Sequence, residues 1–177
     1  MNEKEVKLKL LNDLNYSQDA IYKLDVFCSE LIEYNKKFNL IGESTVKDIW
    51  CRHILDSAQL VKYIIFKGSS GLSDLGSGAG LPGIVLAIFN KNNSFHVKLY
   101  EKSKVKVKFL KYICEKLKIK ADILDGNFTS HNIKSKYIVS RAFKKLEEQI
   151  RISREIIGVN HKLIILKGKN AEEEIKE

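Results

Sequence analysis

The chain reads DLGSGAGLPG from Asp74 to Gly83, and the apolar run Ile84–Phe89 follows directly. A short apolar segment at 72–75 precedes the glycines, so the pattern predicts a strand, a glycine loop and a helix that begins at Pro82. Glycines at alternate positions allow a tight turn that brings backbone N–H groups close to a ligand, with a helix N-terminus behind them. This loop is therefore the candidate ligand site of the chain.

Asp74 narrows the choice of ligand. The loop from Gly78 to Gly83 matches the G-x-G-x-x-G pattern of dinucleotide sites, which alone is a weak signal. A second carboxylate, Glu101, closes the next predicted strand about 20 residues further on, where it suits the ribose hydroxyls of NAD and of S-adenosylmethionine equally. A carboxylate at Asp74 repels a pyrophosphate but suits a cationic, amine-bearing ligand. The pattern favours S-adenosylmethionine, which carries a sulfonium and an ammonium and no phosphate, over a dinucleotide or an unliganded turn.

Length and composition indicate one domain with an added N-terminal element. Of the 177 residues 44% are hydrophobic and 30% charged, which is ordinary for a globular protein. No apolar run reaches the roughly 18 residues of a membrane span, and the acidic, lysine-rich start differs from a signal peptide. Cys28, Cys51 and Cys114 lack a close pairing and predict reduced thiols in the cytoplasm. The scattered histidines predict no metal site.

The net charge of +9 favours a polyanionic partner, although a lysine-rich composition explains the charge as well. Lysines concentrate on the helix predicted after Ser103, at Lys102, Lys104, Lys106, Lys108, Lys111, Lys116, Lys118 and Lys120. One interpretation is a solvated helix face, and the other is a surface that follows a phosphate backbone. The sequence leaves both open.

Helical spacing predicts three helices before the first strand. The first lies within residues 2–14, the second is capped by Ser17, and the third begins with a capping box of Thr45 and Asp48. Residues 1–66 are expected to form a helical cap packed on the core, because each helix alone would expose an apolar stripe.

The core, residues 67–177, predicts an α/β fold. Strands are expected at 72–75, 96–101, 121–125, 137–140 and 162–167, with helices between them. Short connections between alternating strands and helices predict a doubly wound, mostly parallel sheet with helices on both faces. Ligands of such sheets bind beyond the carboxyl ends of the strands, where the strand order reverses.

Several motifs resemble those of the bacterial small-subunit ribosomal RNA guanine-N7 methyltransferase family, also called glucose-inhibited division protein B. They are Asn35–Leu40, Arg52–Ser57, the loop end Gly80–Gly83, Ser140–Phe143 and Leu166–Gly168. They span nearly the whole chain in the family's order and spacing. The resemblance implies a class I, Rossmann-like S-adenosylmethionine-dependent methyltransferase that acts on 16S rRNA or the small ribosomal subunit.

The resemblance also implies roles for single residues. Gly76 and Leu81 fall at donor contacts, and Phe128 and Thr129 fall where the family holds the adenine end of the donor. Arg141 falls where the family's site borders both donor and substrate. Backbone contacts to adenine in the segment 126–129 are expected to survive changes of side chain there.

A further position, Lys167, resembles one implicated in rRNA binding. The chain departs from the family's pattern at Asn127 and Thr129, which replace basic and acidic residues, and at Val105, which replaces a lysine. The closing antiparallel strand pair of the family is also expected to be missing, which would leave the fifth strand as a less protected edge.

Methyl transfer to guanine N7 needs no general base, because N7 already carries a free lone pair. Catalysis is then expected from alignment and electrostatics, with Arg141 binding phosphate, the donor carboxylate or guanine O6. His53 and Asp56 lie one near-turn apart and are expected to pair and hold the N-terminal helices over the pocket; a purely structural role is the alternative for His53. The reacting base has to be unstacked, so a loop guanine is the expected target.

The sequence thus supports one main hypothesis and two alternatives. The main hypothesis is a cytoplasmic, monomeric S-adenosylmethionine-dependent enzyme that methylates N7 of a loop guanine in 16S rRNA, with no metal and no membrane. One alternative is a methyltransferase for a small molecule or a protein. The other is a shortened, inactive protein that binds rRNA without binding the donor.

Overall fold

The computed structural model describes residues 1–141, 144–157, 160–168 and 171–176. At its centre lie five strands, each paired in parallel with its neighbours. They are β1 (Gly71–Leu75), β2 (His96–Glu101), β3 (Asp122–Asp125), β4 (Tyr137–Arg141) and β5 (Lys162–Leu166). Their order is β3-β2-β1-β4-β5, so the order reverses between β1 and β4. The predicted doubly wound sheet is confirmed, and its switch point lies at the strand that leads into the glycine loop.

Helices flank the sheet. They are α1 (Glu3–Leu14), α2 (Gln18–Phe38), α3 (Glu43–Val46), α4 (Asp56–Ala58), α5 (Gly83–Phe89), α6 (Lys104–Lys116), α7 (Leu146–Ile156) and α8 (Ala171–Lys176). A π-helical turn at Trp50–Leu55 precedes α4, and 3-10 turns lie at Gln59–Tyr63 and Phe128–Ser130. Within the described parts of the chain, no helix combines the length and apolarity that crossing a bilayer requires.

The first two helices each begin at a side-chain cap. The Asn2 side chain accepts the Glu5 N–H and the Glu5 carboxylate accepts the Asn2 N–H, which closes a capping box at the start of α1. Ser17 Oγ accepts the Ala20 N–H at 3.2 Å and confirms the predicted cap of α2. Both helices bury one apolar stripe, which fixes their orientation on the core.

The third predicted helix is wrong. Instead of one helix from Thr45, the chain forms α3 with Gly42 as its N-cap, then the π-helical turn, α4 and a 3-10 turn. Thr45 does not act as a side-chain cap, because its hydroxyl donates to Gly42 O at 2.6 Å and hydrogen-bonds to His53. The interrupted geometry places His53 and its neighbours beside the sheet.

One hydrophobic cluster joins the N-terminal helices to the sheet. It contains the fully buried Leu10, Leu24 and Phe27 together with Leu72 of β1 and Leu99 of β2. Burial of this kind stabilises by about 25 cal/mol for each Å² of apolar surface removed from water. Because the cluster crosses the predicted boundary between residues 66 and 67, the division into cap and core stays a prediction.

The candidate donor site and the contacts of Arg141

The glycine loop between β1 and α5 turns on residues with positive φ. Gly76, Gly78 and Gly80 have φ values of 70°, 58° and 91°, a region that favours glycine. Gly80 also lacks room for a side chain, since a Cβ there would lie 2.4 Å from Ile84 Cγ1. Gly78 is different: a Cβ there would meet only Gly76 O, at 3.9 Å. The loop therefore packs tightly on its inner side and stays open at Gly78.

Most backbone N–H groups of this loop are bonded inside the protein. Gly76 and Ser77 both donate to Tyr100 O at 3.0 Å, and Gly78 donates to Glu101 Oε2 at 2.8 Å. The same holds for Gly80, Leu81, Gly83 and Ile84. The predicted approach of loop N–H groups to a ligand is wrong for these residues. A phosphate site presents N–H groups to its ligand, so this loop suits a ligand without phosphate.

Asp74 lies fully buried near the end of β1. Its Oδ2 accepts the Gly83 N–H at 2.9 Å and so fixes the start of α5. Its Oδ1 is buried and finds no hydrogen-bond partner among the described residues. Burial raises the pKa of the Asp74 carboxyl to about 7. An unsatisfied buried acceptor is costly by itself, and a cationic ammonium is the kind of ligand that would satisfy it.

Glu101 connects the loop to the next helix. One carboxylate oxygen accepts the Gly78 N–H and the other accepts the Ser103 N–H, both at 2.8 Å. Ser103 is the residue before α6, so one buried side chain positions both the glycine loop and the helix start. Each oxygen retains a further lone pair, which leaves Glu101 able to accept hydrogen bonds from a ribose.

A cavity of about 580 Å³ opens at the carboxyl ends of β1, β2 and β3. Its size lies within the range of small-molecule sites, about 300–1,000 Å³. Five residues predicted to bind the donor line it together: Gly76, Gly78, Glu101, Phe128 and Thr129. The structure thus brings most of the predicted donor site into one cavity.

Three predicted donor contacts are not among the residues that line this cavity. Asp74 is fully buried before the glycine loop. Leu81 is buried in the hydrophobic core, and its N–H is bonded to Ser77 O. Arg141 lies against the N-terminal segment. Their roles toward the donor stay predictions.

The cavity also has a wall that the sequence analysis missed. Side chains of α7 supply it, at Glu148, Arg151, Ile152 and Glu155. They follow one another at helical spacing on the helix after β4, the strand at the switch point. That spacing, together with the position of the helix, is a signal that would have identified them.

Arg141, the last residue of β4, contacts the N-terminal segment. Its Nη2 donates to His53 Nδ1 at 2.9 Å and its Nη1 donates to Arg52 O at 3.3 Å. Asp56 Oδ2 lies 3.8 Å from Nη1. The predicted pairing of His53 with Asp56 is replaced by contacts of both residues to Arg141. A π-helical turn holds more residues than an α-turn, so the spacing that aligns two side chains on an α-helix does not apply there.

His53 is held as a neutral ring. Burial, together with the nearby Arg141 and Arg52 guanidinium groups, lowers the pKa of His53 to about 4. Since Nδ1 accepts from Arg141, the proton resides on Nε2, which donates to Thr45 Oγ1 at 2.7 Å. A continuous series of hydrogen bonds therefore runs from the end of β4 into α3.

Lys167 follows β5 and is mostly buried. Its Nζ donates to Glu174 Oε2 at 2.6 Å and to Lys144 O at 2.9 Å. Glu174 also accepts the Leu146 N–H at the start of α7. The Lys167 ammonium group thus forms an ion pair with Glu174 of α8. The predicted contact of Lys167 with rRNA stays a prediction. Residues 142 and 143, the end of the motif Ser140–Phe143, lie outside the described residues.

The lysine-rich helix is only partly neutralised. Lys104 pairs with Asp125 at 2.7 Å and Lys116 pairs with Glu30 at 2.6 Å. Across the described ranges no ion pair forms at Lys102, Lys106, Lys108, Lys111 or Lys118. Neither interpretation of this lysine cluster is excluded by these contacts.

Strand order, an acidic residue before the glycine loop and a cavity at the switch point define a class I, Rossmann-like methyltransferase that uses S-adenosylmethionine. Solved structures share this fold. An S-adenosylmethionine-dependent methyltransferase from Thiobacillus denitrificans, in complex with S-adenosyl-L-homocysteine, has a TM-score of 0.51 and 14% identity, covering 62% of this chain and 46% of that chain. The C-terminal domain of precorrin-6Y C5,15-methyltransferase from Rhodobacter capsulatus has a TM-score of 0.54 and 9% identity, and the match covers 68% of this chain and 66% of that domain.

The particular family follows from sequence. The family model described as rRNA small subunit methyltransferase G matches residues 20–177. Two proteins named Ribosomal RNA small subunit methyltransferase G are similar: that of Pelagibacter ubique is 36% identical over 95% of this chain and 81% of the relative, and that of Magnetococcus marinus is 38% identical over 82% and 67%. The chain belongs to the rRNA small subunit methyltransferase G family, and the resemblance seen in its motifs is confirmed.

Proposed function

We propose that this chain transfers the methyl group of S-adenosylmethionine to N7 of a loop guanine in small-subunit ribosomal RNA. The observation that carries the proposal is the buried, unpaired Oδ1 of Asp74 beneath a glycine loop most of whose N–H groups are already hydrogen-bonded within the protein. Together they favour a cationic ligand that has no phosphate. Membership of the rRNA small subunit methyltransferase G family supports the methyl transfer and the RNA substrate.

The residues of the cavity, together with the buried Asp74 that precedes the glycine loop, fit the parts of this donor. Asp74 Oδ1 suits the ammonium group, and the remaining lone pairs of Glu101 suit the ribose hydroxyls. Phe128 and Thr129 line the cavity and suit the adenine, one by its flat ring and the other by its backbone. The open surface at Gly78 leaves room for the donor to lie across the loop.

Once bound, the donor supplies an electrophilic methyl group, and the N7 lone pair forms the new N–C bond as the C–S bond breaks. No proton has to be removed, so the residues of this site serve to orient the two reactants. Orientation can contribute roughly 7–11 kcal/mol to lowering a barrier. Arg141 suits this task, because His53 and the Arg52 carbonyl hold its guanidinium in place. Its remaining N–H groups suit phosphate, the donor carboxylate or guanine O6.

The proposal includes a monomer that works in the cytoplasm without a metal ion. All residues proposed to hold the donor come from one chain. The three cysteines are free thiols, which suits a reducing compartment. A lone-pair nucleophile and a sulfonium donor need no Lewis acid.

The proposal is tested by transfer of labelled methyl from S-adenosylmethionine to small-subunit rRNA that lacks the modification. Cleavage at N7-methylguanine maps the product, and incorporation at a single loop guanine is the expected result. Donor binding is measured in parallel by calorimetry. Saturable donor binding without incorporation into rRNA would overturn the RNA substrate and favour a small molecule or a protein. Binding of rRNA without saturable donor binding would instead identify an inactive RNA-binding protein.

A further inference from the structure

An open groove of about 460 Å³ lies between α2 and α6, outside the donor cavity. Its lining consists of Glu33, Tyr34, Lys37, Phe38, Val105 and Lys108, and we refer to it as the aromatic groove. Phe38 and Val105 are 46% and 40% exposed, although both are large apolar side chains. Exposed apolar surface that is gathered in one concave place commonly marks a binding site.

Aromatic contacts that lead to the core hold the Phe38 ring in position. Its centroid lies 6.0 Å from that of Tyr34, which in turn lies 5.0 Å from that of the fully buried Phe109. The Tyr34 ring also stacks on Tyr112 with centroids 5.3 Å apart. Phe38 is thus the exposed end of a series of aromatic contacts that begins in the core. A ring fixed in this way loses little conformational freedom when a ligand stacks on it.

The chain also ends α2 directly after this ring. Asn39 adopts the left-handed conformation and terminates the helix. The buried Asn35 accepts the Ile41 N–H at 2.8 Å and holds the turn that follows. The residues of the motif Asn35–Leu40 therefore hold Phe38 at the end of α2 in a fixed position. Donor binding does not require this arrangement.

The charge around the groove is positive. Lys37 and Lys108 line it, and neither forms an ion pair within the part of the chain that the structure describes. The one acid of the lining, Glu33, pairs with Lys36 at 2.6 Å. An aromatic face between two unpaired ammonium groups is complementary to single-stranded nucleic acid, whose bases stack on aromatic rings while its phosphates contact cations.

The groove adjoins the donor cavity. Lys102 and Lys106 line the cavity, whereas Val105 and Lys108 line the groove, so the first two turns of α6 separate them. An α-helix is only about 10 Å wide, which places both sites within reach of one short strand. A strand that presents an unstacked guanine to the cavity is therefore able to reach the groove.

We propose that the aromatic groove binds an unpaired base of the RNA substrate, stacked on Phe38, with Lys37 and Lys108 on the neighbouring phosphates. This inference rests on the proposed function, which supplies the RNA. It adds a second contact, separate from the donor cavity, that holds the substrate strand open next to the reacting base.

The direct test is the affinity of the purified protein for a single-stranded RNA of about 12 nucleotides, within the span that such sites cover, measured by fluorescence anisotropy at fixed salt. Phe38→Ala should weaken binding about five-fold or more, because it removes the stacking face. Phe38→Leu keeps an apolar side chain against Tyr34 but has no flat face, so it should weaken binding similarly. Tyr22→Ala removes a ring of the same helix that is 65% exposed, and should leave affinity unchanged.

Two further variants test the stacking and the cations. Phe38→Trp should preserve affinity, and its fluorescence should be quenched when RNA is added, whereas buried Trp50 of the wild type should not respond. The pair Lys37→Glu and Lys108→Glu should flatten the slope of log affinity against log salt by about 1.4, since each phosphate contact contributes about 0.7 for a single strand. The pair Lys4→Glu and Lys9→Glu, on exposed positions of α1, is the matched control.

The outcomes separate this inference from the proposed function. Equal RNA affinity of wild type, Phe38→Ala and Phe38→Leu overturns the groove as an RNA site, whatever the methyl-transfer result. RNA binding that depends on Phe38 in a protein that fails to methylate rRNA would overturn the proposed function and keep the groove. If both hold, Phe38→Ala should raise the KM for rRNA and leave the donor Kd unchanged.

Discussion

The Arg141 guanidinium donates to His53 Nδ1 at 2.9 Å and so joins the end of β4 to the π-helical turn of the N-terminal segment. The two residues lie 88 positions apart in sequence. Their contact requires a neutral imidazole, because a protonated ring has no acceptor to offer. Burial and the two neighbouring arginines supply this condition by lowering the pKa of His53 to about 4.

This contact predicts how stability depends on pH. The folded-state pKa of His53, about 4, lies below its ordinary value. Its stabilising contribution is therefore complete above about pH 6.5 and is lost as the pH falls toward 4, on the order of 2–3 kcal/mol. His53→Gln cannot titrate, so it should lose less stability than wild type between about pH 7 and pH 4.5. Urea unfolding at the two pH values measures the difference.

The control for this experiment is His96→Gln, which removes an exposed histidine of β2. A dependence on pH as shallow in this variant as in His53→Gln would assign the effect to the loss of any one histidine rather than to the contact with Arg141. Parallel curves for wild type and His53→Gln would contradict the prediction and show that folding does not change the pKa of His53.

The parts of the fold that the sequence predicts are those with a local cause. Alternating strands and helices, the glycine loop and the acid at the end of each of the first two strands are all read from periodicity and spacing. Asp74 and Glu101 occupy the predicted positions at the strand ends. The left-handed conformations of Gly76, Gly78 and Gly80 also follow directly from the residue type.

The parts that the sequence did not predict depend on contacts between distant segments. The series of hydrogen bonds from Arg141 through His53 to Thr45 is invisible in any local pattern, and it competes with the capping box expected at Thr45. The direction of the loop N–H groups is likewise set by Tyr100 O and Glu101 on the neighbouring strand. The spacing of residues in the sequence locates these hydrogen-bonding groups but does not show which partner each of them binds.

The open surface at Gly78 predicts a variant that separates donor binding from folding. Gly78→Arg places a long cationic side chain in the cavity, where it should abolish donor binding measured by calorimetry. Gly68→Arg is the matched control, because Gly68 also has positive φ and a Cβ there would meet no atom within 4 Å, yet it lies outside the cavity. Both variants carry the same backbone penalty, on the order of 1 kcal/mol, and should show similar thermal midpoints.

Loss of donor binding in both arginine variants would assign the effect to the backbone conformation. Donor binding by Gly78→Arg at wild-type affinity would contradict the location of the donor site. Only a loss confined to Gly78→Arg agrees with a donor that lies across the loop.

The raised pKa of Asp74 predicts that donor binding strengthens with pH. With a pKa of about 7, the carboxyl is mostly protonated at about pH 6, and the ionised form is the one that suits a cation. The ionised fraction rises from about one tenth at pH 6 to about three quarters at pH 7.5, so donor affinity should rise about eight-fold. Asp74→Asn should bind the donor weakly and without this dependence. Calorimetric titration of both proteins with the donor at pH 6 and pH 7.5 measures this difference.

The same group predicts a trend in stability without the donor. A carboxyl whose folded pKa is raised contributes stability that is present below about pH 4 and is lost as the pH rises through 7. As the pH rises from about 5 to about 8, the free energy of unfolding of Asp74→Asn should therefore increase relative to that of wild type, by on the order of 2–3 kcal/mol. A constant difference between the two proteins over this range would show that Asp74 is ionised throughout.

The ion pair between Lys167 and Glu174 predicts that α8 competes with RNA. Lys167 Nζ lies 2.6 Å from Glu174 Oε2, so a phosphate reaches this ammonium group only when the carboxylate moves away. Glu174→Gln removes the competing charge and should strengthen binding of small-subunit rRNA several-fold, with a salt slope steeper by about 1. Glu173→Gln changes the net charge equally on an exposed neighbour and is the control. An equal gain in both variants would reduce the effect to net charge, whereas a gain confined to Glu174→Gln, and absent once Lys167→Met is added, identifies Lys167 as the contact.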